Sequence, residues 1–231
     1  MNVLAIDTSG PVCGVCILSD GAVRYEAAAM NKLTHSTNLM PMIDTALAAS
    51  GMALKDMDRI AVVTGPGSFT GVRIGVSTAK SLAHGAGKPC VAIDALEAMA
   101  AGIAGFDGVI CPIQDARAGQ VYGAAFSAGM PPERLMEDTP LKLEEYVAAI
   151  ESFGDNFLFL GDGMPVHRTK LQALLGDAAV FAAPQHAFLR PAAVAALGAA
   201  ATEEVDYYTL MPMYLRAPSA ERCKKLTEAQ A

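Results

Sequence analysis

Three short stretches carry residue types suited to chemistry. Asp7-Thr8-Ser9 follows the apolar run Val3–Ile6. A carboxylate and two hydroxyls at a strand end can orient a metal-bound water or receive phosphate oxygens. A polar turn between two strands has the same composition. The second stretch, Thr64 to Gly71, holds Gly65, Gly67, Ser68, Thr70 and Gly71 and runs into a helical pattern. Its glycines would let the backbone approach a ligand, and a helix N-terminus offers free N–H groups to an anion. It lacks the G-K-[ST] of a P-loop, and a tight strand–helix connection uses the same residues. Ser68, Thr70 and the nearby Arg73 make it richer than a bare connection requires. The third is Gln114-Asp115-Ala116-Arg117 followed by Tyr122. A charged pair at a strand end can line a cleft, or be a solvated ion pair worth little.

Histidine and cysteine patterns narrow the chemistry. His35, His84, His167 and His186 stand apart, with no H-x-x-x-H, and there is no G-x-S-x-G. No metal site is expected, and each histidine reads as a surface or satisfied core residue. The cysteines are Cys13, Cys16, Cys90, Cys111 and Cys223. An odd, scattered set suggests free thiols in a reducing compartment. Cys13 and Cys16 form a C-x-x-C, but residues three apart in a strand point to opposite faces.

The elements that must position these residues follow from periodicity. Val3–Ile6, Val12–Leu18 and Ala22–Ala28 read as an antiparallel meander turning at Asp20-Gly21. A helix over about 36–50, containing Pro41 and closed by Gly51, precedes a strand at Ile60–Thr64. The spacing predicts a second helix over Val72–His84 with Gly85 as its C-cap. Cys90–Ile93 and Leu96–Ile103 follow as strand and helix, giving βββαβαβα. A similar, shortened cycle runs through Val109–Ile113, Gln120–Ser127, a helix at Leu143–Ile150, and a strand at Phe157–Leu160 ending in Gly161-Asp162-Gly163. A helix near Arg168–Leu175, a strand at Val180–Ala182 and an Ala-rich helix from Pro191 complete it. Two tightly apposed lobes, 1–105 and 106–231, are expected, with the last helix packing back on the first.

Composition excludes several function classes. The chain has 231 residues, of which 52 % are apolar and 18 % charged. This excludes a disordered chain and hints at apolar surface covered by a partner. The net charge is −7, from 17 basic and 24 acidic residues, with the acidity in the second half. A chain that holds nucleic acid alone normally shows a basic face. The greasiest uncharged stretch, Pro191 to Ala201, is well short of the ~20 residues of a membrane helix. The start lacks the basic residues of a signal peptide, and Asp7 interrupts its apolar run, so a cytoplasmic location is expected.

Together these residues resemble the TsaB (YeaZ) family. The likeness is carried by Leu4-Ala5-Ile6-Asp7-Thr8-Ser9, by Thr64 through Gly75, and by Ala79-Lys80-Ser81-Leu82-Ala83. Asp115-Ala116-Arg117 with Val121-Tyr122, Leu160-Gly161-Asp162-Gly163 and Pro212-Met213-Tyr214-Leu215-Arg216 complete it. The resemblance implies an α/β actin/hexokinase-like fold of two ribonuclease-H-like lobes, the second reduced. It implies a role in bacterial tRNA modification, where threonylcarbamoyl is attached to the adenosine beside the anticodon. The implied partners are a catalytic paralogue, TsaD, and an ATPase, TsaE, with a homodimer when the chain is alone and tRNA engaged only indirectly. The catalytic paralogue carries an H-M-E-G-H segment whose histidines bind its metal. The matching stretch here is Ala95-Leu96-Glu97-Ala98-Met99, and an alanine and a thioether cannot replace two imidazoles on a hard metal. This favours a non-catalytic scaffold requiring no cofactor, with ATP or ADP entering only at the level of the complex.

Two groups of residues are singled out on this basis. Asp7, Thr8, Ser9, Gly65, Gly67, Ser68, Thr70, Gly71, Arg73, Asp115, Arg117, Gly161, Asp162 and Gly163 are expected to line a nucleotide-like or inter-lobe cleft, with Arg216 of undecided role. Leu39, Met40, Ile43, Leu47, Val72, Gly75, Val76, Ala79, Leu82 and Ala83 are expected to face TsaD, although their periodicity alone fits packing on the chain's own sheet. Two rival readings are a stand-alone ATPase or kinase of this fold, and a metallopeptidase, for which no ligand set is present.

Overall fold

The structure is a computed structural model and describes residues 1–31 and 33–216. The first half forms β1 (Asn2–Asp7), β2 (Cys13–Ser19), β3 (Ala22–Ala29), α1 (His35–Ser50), β4 (Arg59–Gly65), α2 (Phe69–Ala86), β5 (Cys90–Asp94) and α3 (Ala95–Ala101). The second forms β6 (Val109–Asp115), β7 (Gln120–Phe126), β8 (Arg134–Lys142), α4 (Leu143–Ile150), β9 (Phe157–Leu160), α5 (Gly163–Leu175), β10 (Ala179–Phe181) and α6 (Pro191–Ala200). The sheet orders β3-β2-β1-β4-β5 and β10-β9-β6-β7-β8 are one topology repeated. This duplicated βββαβαβα unit is the two-lobed actin/hexokinase-like fold. The second copy keeps every element but shortens several, α4 having 8 residues against 16 in α1.

The layers follow from strand alternation. Along β1, Leu4 and Ile6 face the outer helices α1 and α2, while Val3 and Ala5 face the middle of the molecule. Along β6, Cys111 and Ile113 face α4 and α5, while Ile110 faces the middle. The middle layer is α3 beside α6, and its core draws on both halves, including Leu96 from the first and Phe126 from the second. Helix α6 lies against β1, β2 and β4 of the first sheet, which explains its small residues. A Cβ on Gly198 would meet that of Ala61 at 2.5 Å. Burying Val194 and Leu197 contributes about 1.5–3 kcal/mol each. Arg190 next to its start pairs with Glu26 of β3 at 2.6 Å, and the Arg59 guanidinium donates to the carbonyls of Gly198 and Ala201 at its end.

Three boundaries differ from the periodicity. Helix α2 begins at Phe69, because the Ser68 hydroxyl accepts the N–H of Gly71 at 3.2 Å. It ends at Ala86 with Gly87 as the left-handed cap (φ 63°), so Gly85 lies inside it. Helix α5 starts at Gly163, five residues before the expected start. The strand β8 has no counterpart in the expected elements. It is an edge strand, half-buried along most of its length, and its acids and Pro140 obscure the alternation.

The cysteines match their expected placement where described. Cys13 and Cys16 lie in cores on opposite faces of the first sheet. Burial pushes their thiols up to about 11 and about 12, so both are inert hydrophobes. Cys223 lies outside the described residues.

Candidate functional site

A cleft of about 560 Å³ opens where the C-terminal ends of β1, β4, β6 and β9 converge. Its wall gathers Ser9, Gly67, Ser68, Thr70, Asp115, Arg117, Asp162 and Arg216, so stretches far apart in sequence do meet. Phe69, Gln114, Tyr122 and Tyr214 also line it. Asp7, Thr8, Gly65, Gly71, Gly161 and Gly163 are buried and do not form its wall. Arg73 lies outside, on α2, with its guanidinium 5.0 Å from the centre of the Phe69 ring.

The first turn is bonded to itself. Asp7 is 1 % exposed, and its Oδ1 accepts the Ser9 N–H at 2.8 Å and the Ser9 hydroxyl at 2.7 Å. Burial raises its carboxyl above the usual range, and the two Ser9 bonds oppose that shift. The Thr8 hydroxyl donates to the Gly71 carbonyl at 2.7 Å. Both hydroxyl protons are thus directed to the chain's own acceptors, as in a polar turn between two strands.

The Gly-rich loop is likewise closed against its own chain. A Cβ on Gly71 would overlap the Thr8 carbonyl, and one on Gly67 would overlap that of Ser9. Gly65 faces the carbonyl of Met213 in the same way, and the Met213 N–H donates to Thr64 O at 2.7 Å. These glycines admit neighbouring backbone rather than a ligand, so the tight-connection reading holds for them. The loop lines the cleft with Pro66 and Gly67 and, at the start of α2, with Ser68, Phe69 and Thr70. Phe69 stacks on Tyr214 with centroids 4.9 Å apart.

The second half is wired more loosely. Gly161 (φ 96°) and Gly163 pack on the backbone of β6, and Asp162 Oδ1 accepts the Asp115 N–H at 3.4 Å. Burial, reinforced by the Asp115 charge, raises the Asp162 carboxyl. The expected Asp115–Arg117 ion pair does not form. Asp115 Oδ1 instead accepts the Arg117 backbone N–H at 3.0 Å, and Arg117 holds a left-handed backbone (φ 64°) at the hairpin tip.

Two residues here carry more than the sequence suggested. His167, expected to be a bland histidine, is buried with Nε2 3.7 Å from Asp115 Oδ1. Gln114 is 3 % exposed, and neither its amide oxygen nor its NH2 has a hydrogen-bond partner among the described residues. The signal was present: β6 alternates, and Gln114 is polar at a position on the inner face. Among the described residues no group of three or more His, Cys, Asp or Glu is placed to hold a metal ion.

The surface expected to face a partner needs correcting. Leu39 and Ile43 of α1, and Val72, Gly75, Val76, Ala79 and Ala83 of α2, are buried in the chain's own core against the first sheet. An amphipathic helix turns such a stripe inward. Met40 is 42 % exposed, while Leu47 and Leu82 are half-buried.

Comparison with known proteins gives consistent matches. The family described as "TsaD: tRNA N6-adenosine threonylcarbamoyltransferase" matches residues 29–224. The tRNA threonylcarbamoyladenosine biosynthesis protein TsaB of Bacillus subtilis (strain 168) is 36 % identical over 223 residues, 96 % of each chain. The Escherichia coli (strain K12) protein of the same name is 38 % identical over 128 residues, 54 % of this chain and 55 % of its own. The solved structure of YeaZ from Pseudomonas aeruginosa shares the fold, with a TM-score of 0.79 at 24 % identity, over 93 % of this chain and 99 % of that one. This chain belongs to the TsaB (YeaZ) family of tRNA threonylcarbamoyladenosine biosynthesis proteins.

Proposed function

We propose that this chain is a non-catalytic scaffold in tRNA threonylcarbamoyladenosine biosynthesis, working in the cytoplasm beside a TsaD-like catalytic paralogue and a TsaE-like ATPase. The observation that carries this reading is on α3. By resemblance, Ala95 and Met99 stand where the catalytic paralogue has its two metal-binding histidines. Ala95 is 0 % and Met99 4 % exposed, both in the middle core. An alanine methyl and a thioether there provide packing and no ligand for a hard metal. Self-occupied glycines in the 64–71 loop weigh against a stand-alone kinase that would cradle phosphates there. The chain itself requires no cofactor in this reading and touches tRNA only through its partners. Among the described residues no helix is long and apolar enough to cross a membrane.

The partner surface is redrawn on the outer side of α1 and α2. Ile74, Thr78 and Leu82 form a half-buried row at i, i+4 and i+8 of α2, and α1 adds the exposed Met40 and half-buried Leu47. The same row serves a homodimer when the partner is absent. Met40→Arg and Thr78→Arg are expected to lose co-purification with a tagged TsaD-like protein while keeping the circular dichroism of the wild type. A complex that survives both changes places docking elsewhere. Reconstituted tRNA modification is expected to fall when this chain is left out, and modification by this chain alone would overturn the non-catalytic reading.

A further inference from the structure

We propose that Asp94 of the first half and Asp138 of the second share one proton, and that this proton latches the edge strand β8 onto the start of α3. Backbone packing joins β8 to β7 and α4 of its own half. Its reach across to the first half is made by side chains. Arg134 Nη2 lies 3.4 Å from Asp94 Oδ1 and 3.7 Å from Glu97 Oε2, while Nη1 pairs with Asp138 Oδ1. The guanidinium lies over the Phe126 ring of β7, 4.7 Å from its centre. Asp94 Oδ1 also accepts the Glu97 N–H at 2.7 Å, as the N-cap of α3.

One guanidinium does not serve every oxygen of this cluster. The Asp138 side chain is 8 % exposed, and its Oδ2 is buried with no hydrogen-bond partner among the described residues. No water-sized atom reaches it, and a carboxylate oxygen left in that state is costly. The Asp138 carboxyl faces that of Asp94 within hydrogen-bonding reach. Two carboxylates cannot bond without a proton. A hydrogen between them needs no extra room and removes one of two facing charges. Burial, then the Asp138 contact, holds the Asp94 carboxyl well above the usual carboxylate range. The charged groups acting on Asp94 are Asp138 and Arg134 from β8, and Glu97 on α3 faces the same guanidinium. When the proton leaves for solvent, two carboxylates face each other across the seam between the halves. Opening the seam returns Asp94 to its ordinary value. The latch is therefore fully present below about pH 4 and is lost as pH rises through the folded value of Asp94.

The test follows the full chain, with isotope-labelled aspartate for carboxyl NMR and with amide hydrogen exchange on the same samples. The Asp94 carboxyl carbon is expected to titrate well above about pH 4, and at lower pH in Asp138→Asn. Opening the latch below the folded value of Asp94 releases one proton. Protection of the β8 amides, corrected for intrinsic exchange, should then fall by up to about tenfold per pH unit and level off once Asp94 has titrated. The β6 amides, at the centre of the same sheet, report global unfolding and should stay better protected. An asparagine NH2 donates to the facing carboxylate without titrating, and asparagine also caps a helix. Asp138→Asn and Asp94→Asn should therefore fold and lose the pH slope at β8. An Asp94 carbon that titrates near pH 4, β8 amides that exchange only together with those of β6, or an unchanged slope in both variants would each overturn the proposal.

Discussion

β1 ends in Ile6-Asp7-Thr8-Ser9, and β6, the central strand of the other sheet, ends in Ile113-Gln114-Asp115-Ala116. Each strand is central in its sheet, with an antiparallel neighbour on one side and a parallel one on the other. In the first half the turn bonds to its own chain, Asp7 Oδ1 accepting from Ser9 and Thr8 donating to Gly71. In the second half the amide of Gln114 is unpaired among the described residues, and the Asp115 carboxylate accepts the Arg117 backbone N–H with His167 Nε2 3.7 Å away. Duplicated topology thus yields one strand end that bonds back to its own chain and another that leaves buried polar groups unpaired among the described residues. A motif that looks chemical can be structural, while its plainer counterpart holds the unpaired groups.

The largest effect expected from this contrast is steric. Gly71→Ala drives a methyl into the Thr8 carbonyl, whereas in Gly163→Ala the nearest atoms, of Gln114 and Ile113, lie at 3.1 Å. The first should cost about 3 kcal/mol and the second about 1 kcal/mol, read from urea unfolding midpoints. Equal losses would show that the two halves are equally tight. Next comes a change of sign. Thr8→Val removes a buried, paired hydroxyl and should cost about 1–2 kcal/mol. Gln114→Leu removes an unpaired amide and should gain about 1 kcal/mol, or about 2–4 °C in Tm. A loss of stability in Gln114→Leu would mean that the amide is satisfied in the apo chain.

A smaller effect is expected where the halves touch. Arg134 of β8 lies 3.4 Å from Asp94 and 3.7 Å from Glu97, and also pairs with Asp138. Burial, then the facing Asp138 carboxyl, raises the Asp94 carboxyl well above its ordinary range. A carboxyl raised on folding contributes stability that is fully present below about pH 4 and is lost as pH rises through its folded value. Asp138→Asn removes the opposing charge, so its stability relative to wild type should climb with pH across that window. A difference that stays flat from pH 4 to 8, followed by thermal unfolding, would mean that the Asp138 carboxyl does not oppose ionisation of Asp94.

Much of the architecture was legible in one dimension. The run Val3–Ile6, the turn at Asp20-Gly21 and the cap at Gly51 each report local backbone preference, and each stands where expected. The edge strand β8 was illegible because its half-exposed residues follow no clear period. The candidate site was legible as a neighbourhood. Eight of the singled-out residues, from Ser9 to Arg216, do line one cleft. Their roles were not legible, since hydroxyl and glycine content says nothing of what stands opposite.

By itself the sequence determined the element order of the first half, the apolar stripes of α1 and α2, and the absence of histidine from Ala95-Leu96-Glu97-Ala98-Met99. All of these depend on residue type and on spacing within one element. Tertiary structure alone decided that the Gly65, Gly67 and Gly71 spaces are filled by Met213, Ser9 and Thr8, and that Gln114 is buried without a partner among the described residues. Whether a polar group is free depends on which atoms arrive from distant segments, and no local pattern encodes that meeting.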